Sequence, residues 1–260
     1  MNFNFNFNRK NPNFLEELKN SFLITLNLLK KNFLIILLIY VTVYVPIDVC
    51  YLFAGNNSLD YLIKLILSMD FFKLIVYFLP SLMFEPLGFA ALSSVVSQYI
   101  SKKELKKETE IEKIIESSLL QWHYLIYANI IYFSIILISI PFFIIPAIFL
   151  GVSFYFCITI ISLIKKTSVF PAMMLSMINL QGKFLRVLSI ISILVFANIT
   201  QYFNYFLMNE IFKIAGVNIF LCIFFIILSV ILIRSFSIFI KIMLISYFLN
   251  SACLIVPRNK

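Results

Sequence analysis

The sequence predicts an all-α integral membrane protein: a bundle of about six transmembrane helices with short amphipathic surface helices. Composition is the first observation, because 62% of the 260 residues are hydrophobic and 13% are charged, whereas soluble domains are about half apolar and a quarter charged. The second is that the apolar residues form segments of about twenty residues, the length a helix needs to cross a bilayer. The third is that Lys and Arg gather between these segments, mostly on one side.

The order of the segments predicts one multi-pass membrane domain over residues 1–260. Residues 2–8 alternate Asn and Phe, and no apolar run or cleavage site of a secretory signal follows them, so we expect a disordered tail over residues 1–13. The tight apolar turn PFFIIP predicts that the third and fourth spans form an antiparallel hairpin. The expected spans are about 33–53, 73–100, 124–140, 145–164, 187–208 and 218–247.

The segment after the tail predicts an amphipathic helix that lies on the membrane. Pro12 suits a first helical turn, and Glu16 and Glu17 lie near the positive end of the helix dipole. Lys30 and Lys31 follow the last apolar residue. A single apolar stripe of this kind is typical of helices at a membrane interface; here it consists of Leu15, Leu18, Phe22, Leu26 and Leu29.

Two further surface helices are predicted on the basic side, besides a short interfacial helix on the far side over DYLIKLILSM. The first runs over about 111–122 after the basic loop SKKELKKETEIEK, where Thr109 and Glu112 have the spacing of a capping box. The second runs from Thr167 to Gly182, with Pro171 in its first turn and Gly182 just past its end. Its apolar part is too short to cross a bilayer.

The positive charges predict the orientation, because cytoplasmic loops are enriched in Lys and Arg. Only Lys64, Lys73 and Lys213 fall near the other side. We therefore expect both termini to lie in the cytoplasm. The net charge of +9 indicates topology and contact with anionic lipids, and we expect membrane lipids, not nucleic acid, as partners. The residues on the basic side are Arg9, Lys10, Lys19, Lys30, Lys31, Lys102, Lys103, Lys106, Lys107, Lys113, Lys165, Lys166, Lys183, Arg186, Arg258 and Lys260.

Little in the sequence indicates catalysis. Glycine is scarce, and no phosphate-binding loop, nucleophile elbow or zinc motif occurs. His123 lies between Trp122 and Tyr124, which is typical of an interfacial aromatic belt; a proton-handling role is the alternative. We expect no catalytic residue, cofactor or metal, and no enzymatic activity. The four scattered cysteines are expected to be small buried hydrophobes: Cys50, Cys157, Cys222 and Cys253.

The stretch LPSLMFEPLGFAAL, residues 79–92, places Glu85 between Pro80 and Pro86 near the middle of the second span. An ionisable residue at that depth is a functional candidate that needs a partner, and Arg234 in the sixth segment is the partner we predict. The pair could line a polar cavity that holds a lipid head group or a proton. Alternatively, it could pin two helices together, or the prolines could bend the span so that Glu85 meets water.

Other polar residues in the spans have simpler expected roles. Asp48 and Asp70 are expected at the outer interface. The polar residues of the fifth span are expected to hydrogen-bond between helices; they are Asn198, Thr200 and Gln201.

The stretch IPAIFLGVSFYFCITIISLIKKTSVFPAMMLSMINLQGKFLRVL resembles the YciC-like family of uncharacterised bacterial inner-membrane proteins, which is similar to the membrane domain of some glycerophosphodiester phosphodiesterases. The pattern is a proline opening a span (Pro146), a surface helix with small positions (Ala172, Ser176) and an arginine before the next span (Arg186). Ala147 departs from the family's usual glycine. The resemblance implies a multi-pass membrane fold and no catalytic residues.

Together these observations predict a non-enzymatic membrane protein in envelope or lipid handling. The alternative is a small transporter or permease subunit that uses Glu85. A wet cavity beside Glu85 favours transport, whereas a dry contact with Arg234 favours a structural role.

Overall fold

The computed structural model describes residues 14–53, 64, 68, 71–102, 116, 118–139, 144–164, 167–180, 182–213 and 219–251. Across these residues helix is the only regular secondary structure, so the predicted all-α class is confirmed. Several predicted features lie outside the described residues: the tail, Asp70, the basic loop at 103–110, the turn at 141–143, and residues 111–115 and 117 of the predicted surface helix at 111–122.

Six helices in the described part of the chain are long and apolar enough to cross a membrane, and each lies where a span is predicted. Two shorter helices accompany them: α1 precedes the first span, and α8 separates the fourth from the fifth. The elements are α1 (Phe14–Lys31); α2 (Phe33–Ile39), a π-helical turn (Tyr40–Tyr44) and α3 (Val45–Phe53) in the first span; α4 (Phe71–Lys102); α5 (Trp122–Ser139); α6 (Ile144–Phe154) and α7 (Cys157–Leu163) in the fourth span; α8 (Val169–Leu180); α9 (Phe184–Lys213); and α10 (Ile219–Ser251).

The first span changes its winding next to Pro46. Proline has no N–H to offer the preceding turn, and the π-helical turn Tyr40–Tyr44 lies immediately before it. A π turn rotates the residues that follow it to a different face of the helix. Tyr44 at the end of this turn is buried, as are Ile47 and Asp48 after it. The irregular turn therefore helps to orient the helix face that carries these residues towards the interior of the bundle.

The second span continues as a helix through both prolines, and the third span donates to the carbonyl that Pro86 leaves without its usual donor. Pro86 cannot donate to the carbonyl of Leu82, which accepts instead from Nδ2 of Asn129 at 3.2 Å. The indole nitrogen of Trp122 donates to the neighbouring carbonyl of Met83 at 3.0 Å. These bonds fix the third span against the part of the second span that carries Glu85.

The fourth span is interrupted, which the sequence analysis did not predict. At the break, the Ser176 hydroxyl donates to the Ser153 carbonyl at 2.7 Å, and the N–H of Phe156 donates to the Ser176 oxygen at 3.3 Å. A side chain inserted into the backbone ladder is a common cause of such breaks. The inserted residue belongs to α8, so this short helix is joined to the fourth span by polar contacts.

The short helix α8 matches the predicted surface helix closely. It ends at Leu180, and Gly182 has φ +75°, a conformation that favours glycine. Ala172, Met173 and Ser176 are buried against the bundle, whereas Phe170 and Met174 are exposed. The helix therefore shows apolar side chains on both faces.

The first helix, α1, packs across α10 with a face that the sequence analysis did not single out. Its buried residues are Ser21, Thr25 and Leu28, whereas Leu15 and Phe22 from the predicted apolar stripe are exposed. Small polar residues allow two helices to approach closely in a membrane protein. The apolar stripe is thus divided: Leu15, Phe22 and Leu26 are exposed to lipid, whereas Leu18 and Leu29 pack against the core. The ring of Phe22 also contacts Phe239 of α10, with ring centroids 5.6 Å apart.

Candidate functional site

Four charged side chains from three spans meet inside the bundle. Asp48 comes from the first span, Glu85 from the second, and Arg234 and Lys241 from the sixth. The two basic residues are seven positions apart and therefore lie on the same face of α10. We call these four residues the central cluster. Two acids and two bases give it a formal charge of zero.

The innermost contact joins Asp48 and Arg234. Nε of Arg234 is 3.0 Å from Oδ1 and 3.3 Å from Oδ2 of Asp48, and both side chains are 5% exposed. The expectation that Asp48 lies at the outer interface is therefore wrong. That expectation considered only its distance from the end of the span. The inward face that it shares with Tyr44 and Ile47 decides its position instead.

Glu85 lies within reach of both bases. Its Oε1 is 3.6 Å from Nη1 of Arg234 and 3.5 Å from Nζ of Lys241. The structure thus brings together the predicted pair Glu85 and Arg234. These distances are longer than those of a good hydrogen bond, so the contacts are ion pairs without close donation. Glu85 is also 32% exposed, unlike the other three members of the central cluster.

A buried tyrosine separates the two bases. The ring of Tyr44 lies 5.6 Å from Cζ of Arg234 and 4.8 Å from Nζ of Lys241, within the range of cation–π attraction. The ring also rests on Gly88, where an added Cβ would lie 2.9 Å from Cζ and Oη of Tyr44. Gly88 therefore provides the space that lets the second span approach the first at this level.

A cavity of about 240 Å³ opens beside the central cluster. Glu85 and Arg234 contribute to its wall, whereas Asp48 and Lys241 do not. The second, third, fifth and sixth spans all contribute side chains, and most of these are polar. The lining residues are Phe78, Ser81, Leu82, Glu85, Asn129, Tyr132, Phe133, Asn198, Gln201 and Arg234.

The chain direction shows which way the cavity extends. On the second span the lining residues run backwards from Glu85 to Phe78, about two helical turns. The cavity therefore extends from the central cluster towards the end of the bundle where α4 begins. By the predicted orientation this is the side away from the cytoplasm, and Glu85 and Arg234 lie at the floor of the cavity.

The polar residues of the fifth span divide between two roles. Asn198 accepts a hydrogen bond from the Ser237 hydroxyl of the sixth span at 3.2 Å, as expected for a contact between helices. Thr200 is half-buried and donates to the carbonyl of Phe196 in its own helix, so the expectation of a contact between helices is wrong for Thr200. Gln201 is buried and lines the cavity.

The other candidates from the sequence lie outside this site. His123 is exposed, and its ring lies beside that of Tyr124, with centroids 4.1 Å apart and the planes tilted by 43°. Cys157 is buried as expected, Cys50 is exposed, and the side chains of Cys222 and Cys253 lie outside the described set. Among the residues that the structure describes, no group of three or more His, Cys, Asp or Glu residues could hold a metal ion.

Sequence reasoning missed Lys241, Asp48 and Tyr44 as members of this site. A usable signal was present, because Lys241 follows Arg234 at a spacing that returns to the same helix face. Charge balance was a second signal. Two bases inside one apolar segment require two acids at similar depth, and Asp48 and Glu85 are charged residues inside other predicted spans.

The helices and the central cluster define a class: a multi-pass α-helical membrane protein with ionisable residues inside its spans. No family model, curated protein or solved structure matches this chain. The resemblance to the YciC-like family therefore stays a prediction.

Proposed function

We propose that this protein is a non-enzymatic transporter or permease subunit that takes a small solute into the cavity above the central cluster. One observation carries the proposal: Glu85, midway along the second span, is 32% exposed and lines a cavity of about 240 Å³ together with six other polar side chains. Ligand sites are concave pockets in which convergent polar groups fix the orientation of the ligand.

The contrast between the two acids argues against a purely structural role. Asp48 forms a dry, hydrogen-bonded pair with Arg234, which is sufficient to pin the first and sixth spans together. A second carboxylate that only pinned helices would be expected in an equally dry site. Glu85 instead faces open space and keeps longer contacts with its bases.

Envelope or lipid handling, the first function expected from the sequence, is the second candidate. The exposed apolar face of α8 supports it, because Phe170, Met174 and Ile178 would enter the lipid at a membrane surface. It ranks second because α8 contains no charged residue that could bind a head group. In either case we propose that lipids surround the exposed apolar faces of the spans and that nucleic acid is not a partner.

We further propose that the protein lies in a bacterial inner membrane with both termini in the cytoplasm. The distribution of Lys and Arg supports this orientation. A reporter that is active only in the periplasm should give signal when it is fused after residue 56, 143 or 213. It should be silent after residue 107 or at the C-terminus, and a signal after residue 107 would contradict the orientation.

Water access to the cavity tests the transport proposal directly. In a variant whose four native cysteines are replaced by alanine, Ser81→Cys places a thiol on the cavity wall. Leu232→Cys is the matched control, since Leu232 is 61% exposed on the outside of the bundle and lies two residues from Arg234. A charged thiol reagent that cannot cross membranes is added to intact cells.

We expect Ser81→Cys to react, because water fills the cavity, and Leu232→Cys to stay unmodified, because lipid excludes the charged reagent. If neither thiol reacts from either side of the membrane, the cavity is closed to water and the transport proposal fails. If both react equally, the surface around Leu232 is not covered by lipid and the assignment of the sixth span is wrong.

A further inference from the structure

We infer that the cavity binds a small monocarboxylate together with one proton, and that Glu85 takes up the proton. This inference rests on the proposed function and adds the class of solute and its coupling to protons. It starts from the charges around the cavity floor, which comprise Glu85 and the three buried members of the central cluster.

Charge balance limits what can enter. With Glu85 ionised, the central cluster sums to zero, and an incoming anion would leave a net negative charge in a site largely removed from water. A charge without a counter-charge is disfavoured in such a site. With Glu85 protonated, the other three residues sum to +1, and a monoanion beside Arg234 restores neutrality. Binding of the anion and binding of the proton therefore favour each other.

Glu85, and not Asp48, is the acid that can accept this proton. Asp48 is 5% exposed and accepts hydrogen bonds from Nε of Arg234, so its carboxylate is already engaged in a close ion pair away from the cavity. Glu85 contacts its two bases only at 3.5 Å and 3.6 Å and faces the cavity. A proton can reach it through the same opening that a solute uses.

The other titratable groups near Glu85 do not compete for this role. Tyr44 from the first span, Tyr132 from the third and Tyr155 from the fourth are all buried or half-buried phenols. A phenol is neutral near pH 7, and the hydroxyl of Tyr132 donates a hydrogen bond to the carbonyl of Gly151 at 2.9 Å. Arg234 and Lys241 supply the positive charge that remains when Glu85 is neutral.

The wall of the cavity indicates the body of the solute. Phe78, Leu82 and Phe133 offer apolar contact, and Arg234 lies at the opposite, charged end. Guanidinium groups are suited to carboxylates because their N–H donors match the two oxygens. A cation is disfavoured since both bases of the central cluster flank Glu85. A small carboxylate with an apolar body fits these constraints.

Calorimetry on the full-length protein in lipid nanodiscs tests the inference, with benzoate as the probe. Benzamide is its neutral analogue and benzylamine its cationic analogue. Titrations in two buffers of different ionisation enthalpy give the number of protons taken up with the ligand. At pH values where Glu85 is ionised before the ligand binds, we expect about one proton to be taken up for each benzoate bound. In the same pH range, the affinity for benzoate should fall about tenfold for each unit by which the pH rises.

Glu85→Gln separates the charge of this residue from its shape. Glutamine resembles the protonated acid, so this variant should bind benzoate without proton uptake and with an affinity that does not change between about pH 6 and pH 8. Glu17→Gln is the matched control, because it removes a carboxylate from the far end of α10. It should keep the proton uptake of the unchanged protein.

Several outcomes would overturn the inference. These are benzoate binding without proton uptake, an unaltered pH dependence in Glu85→Gln, or binding of benzamide or benzylamine as tight as that of benzoate. Absence of benzoate binding in a protein whose Ser81→Cys variant reacts with the thiol reagent would overturn it as well. That last result leaves the transport proposal standing, whereas an unreactive Ser81→Cys removes both.

Discussion

Two clusters in this protein use the same side-chain chemistry in different surroundings. In the central cluster, Arg234 pairs with Asp48, and both are 5% exposed. At one end of the bundle, Arg186 and Tyr247 donate to Oε2 of Glu17 at 3.1 Å and 3.0 Å. There Arg186 is 34% exposed, so water can reach the pair. We call this second group the end cluster.

The difference in exposure indicates which of these contacts the stability of the fold depends on. A charge inside a span has no water to replace a missing partner, so each acid of the central cluster requires its base. A charge at the end of the bundle can be solvated when its partner is lost, and such pairs contribute about 1 kcal/mol or less. Substitutions in the central cluster should therefore have the larger effects.

The largest effect is expected for the Asp48–Arg234 pair. Asp48→Ala and Arg234→Ala should each lower the free energy of unfolding by about 3–5 kcal/mol, because each leaves a buried charge without its counter-charge. Denaturation in mixed detergent micelles, or the yield of folded protein, measures this loss. The sequence analysis predicted Glu85 as the partner of Arg234, whereas in the structure Asp48 is the closer partner.

Two double variants decide between these partners. Asp48→Ala with Arg234→Ala removes a neutral pair and leaves Glu85 and Lys241 at 3.5 Å, so it should recover more stability than Glu85→Ala with Arg234→Ala. Equal recovery in both double variants would mean that net charge alone, and not the close pair, determines stability.

The next effect concerns the packing of Tyr44 in the central cluster. Gly88→Ala would place a Cβ 2.9 Å from the fully buried ring of Tyr44, which has no room to move. Overpacking of this kind costs about 1–3 kcal/mol. Gly151→Ala is the matched control, because its Cβ would meet ordinary contacts at 3.5 Å from Ile136. Thermal unfolding should separate the two variants, and equal midpoints would contradict the close approach of the first two spans.

A smaller effect is expected for Glu85 itself. Glu85→Gln should cost less stability than Asp48→Asn, since Glu85 is 32% exposed and makes longer contacts. Lys241 keeps the ring of Tyr44 as a partner at 4.8 Å. We expect a loss of about 1 kcal/mol, measured by the same detergent denaturation. A loss as large as that of Asp48→Asn would assign Glu85 to the structural role that the proposed function denies it.

Much of the fold could be predicted from hydrophobic segments alone. Apolar length and turn residues predict the six spans and the end of α8 at Gly182, because those features depend on local sequence. The break in the fourth span could not be predicted in this way. It depends on Ser176, which lies twenty residues after Phe156 in the chain and inserts between two turns only in the folded bundle.

The site was predictable in part for a similar reason. Glu85 and Arg234 are conspicuous because each charge lies near the middle of an apolar segment. Asp48 lies near the end of its span, and depth alone suggested water. Which face of a helix points inwards depends on its winding, and the π-helical turn before Pro46 changes that face. Sequence periodicity based on a regular helix does not register such a change.

The smallest effect is expected in the end cluster. Tyr247→Phe removes one hydrogen bond to Glu17 and should cost about 1 kcal/mol or less, while Glu17→Gln also weakens the ion pair with Arg186. Because Arg186 is partly exposed, salt should screen this pair, so the difference in stability between Glu17→Gln and the unchanged protein should shrink at high ionic strength.

Limited proteolysis of α1 is the suitable measurement for the end cluster, since Glu17 fastens this helix to α9 and α10. Faster cleavage of α1 in Glu17→Gln at low salt, with no change in the unfolding of the spans, is the expected result. If Glu17→Gln destabilised the spans as strongly as Asp48→Ala, exposure would not be what distinguishes the two clusters, and the order of effects given above would be wrong.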